Sequence, residues 1–293
     1  MFDNSSIMII KTGEPLEIFR LEVDSDTQNS ICDAFSNAVS EMTLEKSKVV
    51  FDGSYKPLDD EYLDIENFQL PDAIKDAIRN PIGVAKYKKE NGCFPEIKAI
   101  FVGERIESKD TENFVVAFQR FKKEQYISVR AFNLFFDNDT FRREKNYGIS
   151  ISNNIDCLFS KNELEFTSFY YARQIFDLSD YYRSATDQEV QSFTSSEHLS
   201  IENADDFKEM ANTWIRRKIA MINDSEVLSN YSATKIKGLA KSVGIDISIN
   251  NKKIVIPNDK EKVKIILGFL DEEAYKGPFS QNTYLANSKR QVK

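Results

Sequence analysis

The chain has 293 residues, of which 41% are hydrophobic and 29% charged, and its 22 Phe and 12 Tyr are enough for a sizeable core. With only 10 Gly and 7 Pro it is neither collagenous nor low-complexity, and its apolar runs, such as AIFV at 99–102, are far below the roughly 20 residues of a membrane-spanning helix. The net charge is −8, yet residues 205–293 carry more Lys and Arg than Asp and Glu; a basic segment on an acidic body points to a polyanion partner.

The opening MFDNSSIMIIKTG lacks the basic start and long apolar run of a secretory signal. Three scattered cysteines, Cys32, Cys93 and Cys157, fit neither a disulfide framework nor a zinc pattern, so reduced core thiols in a cytoplasmic protein are expected. SIMIIKTGEPLEIFRLEV reads as two strands around a Gly-Glu-Pro turn. Ile31, Phe35, Val39 and Met42 then recur at helical spacing behind an acidic, cap-rich start. KVVFDG is a further strand, and PDAIKDAIRNP a short helix ended by Asn80-Pro81.

From residue 97 the pattern becomes that of an antiparallel meander: IKAIFVGERI, NFVVAFQRF, QYISVR, YGISIS, IDCLF and ELEFTSF, with SKN at 160–162 as a hairpin turn. IFDLSDYYRSATDQEVQSF is expected to be helical, and the Ser/Thr/acidic stretch 194–206 to be a boundary. Beyond it, DDFKEMANTWIRRKIAMI places Phe207, Met210, Ala211, Trp214, Ile215 and Ile222 on one stripe, with Lys218 near its middle as a snorkelling stem, a paired buried amine or a ligand contact. SATKIKGLAKSVG is a second helix with Ser232 as N-cap and Gly244 as its left-handed stop. IDISINNKKIVI forms a hairpin turning on Asn250-Asn251, and NDKEKVKIILGFL a last helix capped by Asn258 or Asp259. The expected fold is α+β: a β-rich domain at 1–195, then a mostly helical basic domain with one hairpin at 205–293.

Familiar catalytic patterns are weak or missing. His198, the lone histidine, falls in the expected boundary, which disfavours His-based acid–base or metal chemistry. Ser232–Lys235 matches S-x-x-K and Lys11–Gly13 matches K-T-G, but in the wrong order for a serine acylase. No phosphate-cradling glycine motif or nucleophile elbow occurs. A metal-nuclease triplet in a strand, Glu96-Ile97-Lys98, lacks an identifiable second carboxylate. The sequence therefore assigns no catalytic residue, metal ligand or cofactor.

The cations say more. Lys237 and Lys241 share a helix face beside Gly238, and Lys252 and Lys253 follow at the hairpin tip. Helix, turn, helix and hairpin is the order of a winged helix, though such lysines also serve solubility. Arg216 and Arg217 lie on the preceding helix, and Lys289 and Arg290 in the closing segment, where Tyr275, Phe279, Tyr284 and Leu285 are expected to act as anchors. A second group, Arg120, Lys122, Lys123, Arg130, Arg142, Arg143 and Lys145, interleaves with Phe118, Phe121, Tyr126, Phe132 and Phe141. It suits either base stacking or a sheet with an apolar inner and charged outer face.

FQRF, IFDLSDYY, WIRRKIAMI and the closing ILGFLDEEAYKGPFSQNTYLANSKR, in that order, resemble the KwaB family of the Kiwa anti-phage defence system. The most specific elements are Leu270-Asp271, Ser280, Tyr284 and Ser288-Lys289-Arg290. The resemblance implies a cytoplasmic DNA-binding effector, drawn to the inner membrane by a KwaA-like multi-span partner and acting on phage DNA; it supplies no catalytic residue. The expected function is binding of DNA through its phosphates so as to block phage replication or transcription, with homo-oligomers aligning several positive patches. A metal-dependent nuclease and a non-catalytic protein-interaction scaffold are the alternatives.

Overall fold

The first strands form where the sequence places them. β1 (Ile7–Lys11) and β2 (Glu17–Leu21) pair antiparallel across the turn containing Gly13. The structure, a computed structural model, describes residues 1–53, 55–88, 96–107, 112–128 and 132–286. These fall into two compact units, one of residues 1–51 and 57–178, the other of 52–56 and 179–293.

The first unit continues with α1 (Ser25–Thr43), whose Thr27 N–H donates to the Asp24 cap at 2.9 Å, then β3 (Ser47–Val50), β4 (Glu61–Ile65) and α2 (Asp72–Arg79). There follow β5 (Ile97–Glu107), β6 (Glu112–Arg120), β7 (Tyr126–Ile127), β8 (Asn133–Asp137), β9 (Thr140–Glu144), β10 (Gly148–Ile149), β11 (Cys157–Ser160), β12 (Glu163–Phe166) and α3 (Phe169–Ile175). Eight strands build one sheet in the order β2-β1-β5-β6-β11-β12-β4-β3, antiparallel except for β3 with β4. The expected meander is the middle of this sheet. β7 and β10 pair with each other, and β8 with β9, as an excursion between β6 and β11.

Cross-strand register explains the core. One row runs Leu21, Ile7, Val102, Ala117, Leu158, Glu165, Asp64, Val50. Its apolar members, Ile7 to Leu158, pack with Cys32, Phe35, Val39 and Met42 of α1. Beyond them the same face turns acidic. The opposite face is aromatic: Phe118 meets Phe176 edge-on at 4.9 Å, and Phe68 meets Phe176 at 5.1 Å. A Cβ on Gly103 would come within 2.5 Å of Ile78 Cδ1, so α2 packs closely on β5 because that residue has no side chain.

The second unit comprises α4 (Asp187–Thr194), β13 (Leu199–Ile201), α5 (Ala204–Met210), α6 (Thr213–Asp224), α7 (Val227–Asn230), α8 (Ala233–Ser242), β14 (Ile249–Asn250), β15 (Lys253–Ile256), α9 (Lys260–Leu270), β16 (Ala274–Lys276) and β17 (Thr283–Leu285). β13 runs through the Ser/Thr/acidic stretch and pairs parallel with β15, which pairs antiparallel with β14. The single stripe expected from Phe207 to Ile222 is two helices. Asn212 breaks it, because its side chain accepts the Ile215 N–H and starts a new N-terminus. In the 175–193 segment Ile175 closes α3 and α-helix resumes only at Asp187, with a 3-10 turn at Ser179–Tyr181 between them.

Lys218 is a paired buried amine. It donates to Asp271 at 2.6 Å and to Glu273, with the Trp214 ring 5.4 Å away. Both acids follow α9, which ends in a Schellman turn: Glu273 N–H donates to the Gly268 carbonyl, Glu272 N–H to that of Phe269, and Glu272 has φ +58°. The β16–β17 hairpin, with Tyr275 stacked on Tyr284 at 5.5 Å, is tied down by Ala286 N–H on the Glu273 carbonyl at 2.8 Å and by the Thr283 hydroxyl on the Val243 carbonyl. Of the anchors expected there, Leu285 does pack on α9, its Cδ2 3.4 Å from where a Cβ on Gly268 would stand, while Tyr275 and Tyr284 stack on each other and Phe279 is 99% exposed. Among the described residues no helix is long and apolar enough to cross a membrane.

Candidate nucleic-acid interface

α8 begins where Ser232 accepts the Lys235 N–H and buries Ile236 and Ala240. Its stop is as expected. Ile245 N–H donates to the Ala240 carbonyl and Gly244 N–H to that of Lys241, with Gly244 at φ +83°. Lys235, Lys237 and Lys241 are exposed and, among the described residues, form no ion pair; α8 contains no acidic residue. A Cβ on Gly238 would meet nothing within 4 Å, so the Lys237–Lys241 face is open to close approach.

The hairpin turn falls one residue later than expected. Asn250 pairs with Lys253, and the tip is Asn251-Lys252, at φ +48° and +62°, as in a type I′ turn. Lys252 therefore projects from the turn itself, exposed and without an acidic partner among the described residues.

In the other unit β8 and β9 form a hairpin that joins no further strand among the described residues. Phe132, Leu134, Phe135, Phe136 and Phe141 are all exposed. Of the aromatics interleaved with this basic group, Phe118 is buried and Phe121 and Tyr126 pack on the core as an inner face does, whereas Phe132 and Phe141 do not. The Arg143 guanidinium lies 4.3 Å from the Phe132 ring centre, and Arg142 is exposed beside it.

Other cations are engaged internally. Arg120 holds Asp156 at 3.3 Å and sits 3.5 Å over the Tyr171 ring. Arg216 donates to the Ala211 and Ala185 carbonyls and to Asp187 at 2.6 Å. Arg217 is half-buried against Tyr182, and burial pulls its pKa down. Lys122 and Lys123 are exposed after β6, and Lys122 contributes with Arg120 to the positive field around Asp156. Lys289, Arg290, Arg130 and Cys93 lie outside the described residues.

Ser232 serves as a helix cap and Lys11 pairs with Glu17 at 3.2 Å, which leaves nothing of an acylase site. Glu96 is exposed ahead of β5, with Lys98 half-buried in it. The carboxylates that converge are others. One oxygen from each of Asp64, Glu163 and Glu165 lies within 4.8 Å of the other two. Glu165 pairs with Asp64 across β12 and β4, and the two-residue period puts Glu163 on the same face. Lys48, paired with Tyr62 across β3 and β4, shares that face and lies 2.8 Å from Glu163 and 3.7 Å from Asp64. Burial pushes the Asp64 and Glu165 carboxyls up. Sequence reasoning missed this group, although two acids at i and i+2 in ELEF were a visible signal.

Residues 98–279, well over half of the chain, match the family described as Kiwa protein KwaB-like. The chain belongs to that KwaB-like family. No curated protein and no solved structure matches it significantly. Membership implies a role in Kiwa anti-phage defence alongside other subunits of that system. The matched segment contains α8, the β14–β15 hairpin, β8–β9, Lys218 and Asp271.

Proposed function

We propose that this KwaB-like chain binds DNA mainly through backbone phosphates. The observation that carries it is the set of exposed lysines on α8 and the hairpin tip, Lys237, Lys241 and Lys252, with no carboxylate bound to them among the described residues. On a chain of net charge −8, cations left without acidic partners are the places where an anion gains most. The few side chains suited to base edges make the contact sequence-independent. A helix followed by a hairpin, as in a winged helix, supports a groove-and-backbone mode for α8.

The exposed phenylalanines beside Arg142 and Arg143 favour a second contact, stacking on unpaired bases of a displaced strand. Within the Kiwa system, binding would act together with a membrane-embedded partner subunit and through homo-oligomers. Occlusion of replication or transcription machinery, not covalent chemistry, is the consequence.

The test is anisotropy of random duplex DNA at several salt concentrations. Affinity should fall with salt at about 0.9 log units per log unit for each phosphate engaged. A Lys237→Glu/Lys241→Glu chain should bind more weakly with a shallower slope. Binding absent at low salt would instead leave the scaffold alternative.

A further inference from the structure

We propose that Asp64, Glu163 and Glu165 form a binding site for a hard divalent cation, of the Mg²⁺, Mn²⁺ or Ca²⁺ class, at the β12-β4-β3 end of the large sheet. Three acids on one sheet face are not in themselves a site. The second observation is the state of Asp64. Its carboxylate is fully buried, with 0% exposure, and neither oxygen accepts a hydrogen bond. The nearest cation, Lys48 Nζ, stays 3.7 Å away, beyond hydrogen-bond reach. A buried carboxylate without a donor calls for an ion or water to satisfy it.

The dimensions suit a metal. Oxygens within 4.8 Å of one another can share one ion, since two bonds of about 2.1–2.6 Å on opposite sides span about 4–5 Å. The donors are all carboxylate oxygens, which selects hard cations over zinc or copper. Charge agrees as well: three carboxylates against the Lys48 ammonium, with Glu66 near Asp64 and Lys161 near Glu165 offsetting each other, leave two negative charges, those a divalent ion balances. Lys48 is then a competitor, its ammonium held by Glu163 at 2.8 Å near where the ion would sit.

The backbone supports the arrangement. Asp64 and Glu165 face each other across β12 and β4 in the row that α1 covers only as far as Leu158. The ligand set is thus mounted on paired strands, beyond the apolar cover, with Glu163 partly open to solvent as an entry.

The full-length chain is titrated with Mn²⁺ alone and free Mn²⁺ followed by electron paramagnetic resonance. One saturable ion per chain is expected, displaced by Mg²⁺ or Ca²⁺. Asp64→Asn and Glu165→Gln, both near-isosteric, should each weaken it at least about tenfold, with circular dichroism confirming that each variant is folded. Lys48→Met should bind at least as tightly as the parent. The proposal is overturned if no saturable binding occurs up to about 1 mM, the weak end of protein calcium sites. Binding unchanged in both carboxamide variants, or lost in Lys48→Met, overturns it equally.

Discussion

Lys218 Nζ lies 2.6 Å from Asp271 Oδ2 inside the second unit, so a buried helix lysine reads out the acid that follows α9. Glu273 completes the triad. The Leu270-Asp271 segment, singled out by the family resemblance, is therefore an internal anchor.

Removing the ammonium should take from two desolvated carboxylates their closest counter-charge, leaving them the weaker attraction of Arg217. Lys218→Met is expected to cost about 3–5 kcal/mol, measured by urea unfolding. Adding Asp271→Leu and Glu273→Leu should recover part of the loss, because it removes the two undercompensated carboxylates, although Arg217 then loses their attraction. A triple variant no better than the single one would show that the acids act otherwise.

The Arg183–Glu189 pair gives a pH dependence. Hydrogen bonds from Arg183, then the Thr186 N–H at 2.8 Å, hold the Glu189 carboxyl at about 2, against an ordinary 4.5. Being more acidic folded than unfolded, Glu189 stabilises the fold fully above pH 4.5 and progressively less as pH falls toward 2. Glu189→Gln should lower the Tm at neutral pH, and its gap from the parent should close across that window. A gap constant with pH would contradict this assignment.

Lys252 offers opposite signs in two assays. Its left-handed backbone, φ +62°, suits glycine better, so Lys252→Gly should stabilise the hairpin by up to about 1 kcal/mol. The same change removes a cation from the proposed interface and should weaken duplex binding. Thermal unfolding and anisotropy on one preparation check both.

Glu272 has the same conformation at the end of α9, with φ +58° in the Schellman turn. Its side chain is exposed, and Glu272→Gly should raise stability by about 1 kcal/mol. Unchanged or lower stability in urea would show that the side chain contributes something the backbone geometry does not reveal.

Phe135 and Phe136 test the stacking contact. A Phe135→Ser/Phe136→Ser chain should lose more affinity for single-stranded than for duplex DNA, by about 1–3 kcal/mol per stacked base. Equal losses on both would attribute the hairpin to general docking.

Local chemistry was the legible part. α1 was marked by Ile31, Phe35, Val39 and Met42, and α8 by Ser232 at one end and Gly244 at the other. Each signal lies within one turn of the element it defines. The α5–α6 break was hidden because the apolar spacing continues across it while one asparagine side chain decides the outcome. The carboxylate group was hidden for a different reason. Asp64 and Glu165 are some hundred residues apart and meet only through β12–β4 pairing, which no local pattern in EYLDI announces. Arg120 and Arg216 read as surface cations, yet their partners Asp156 and Asp187 are remote in sequence.

Glu273 has three attachments, its N–H on the Gly268 carbonyl, its carboxylate on Lys218 and its carbonyl on the Ala286 amide. Disturbing the interior charge would therefore slacken the outward-facing tyrosine hairpin, a region the lysine never touches. A genetic screen for lost phage resistance could then score an inside position as if it were a contact for an external binding companion, unless folding is assayed in parallel.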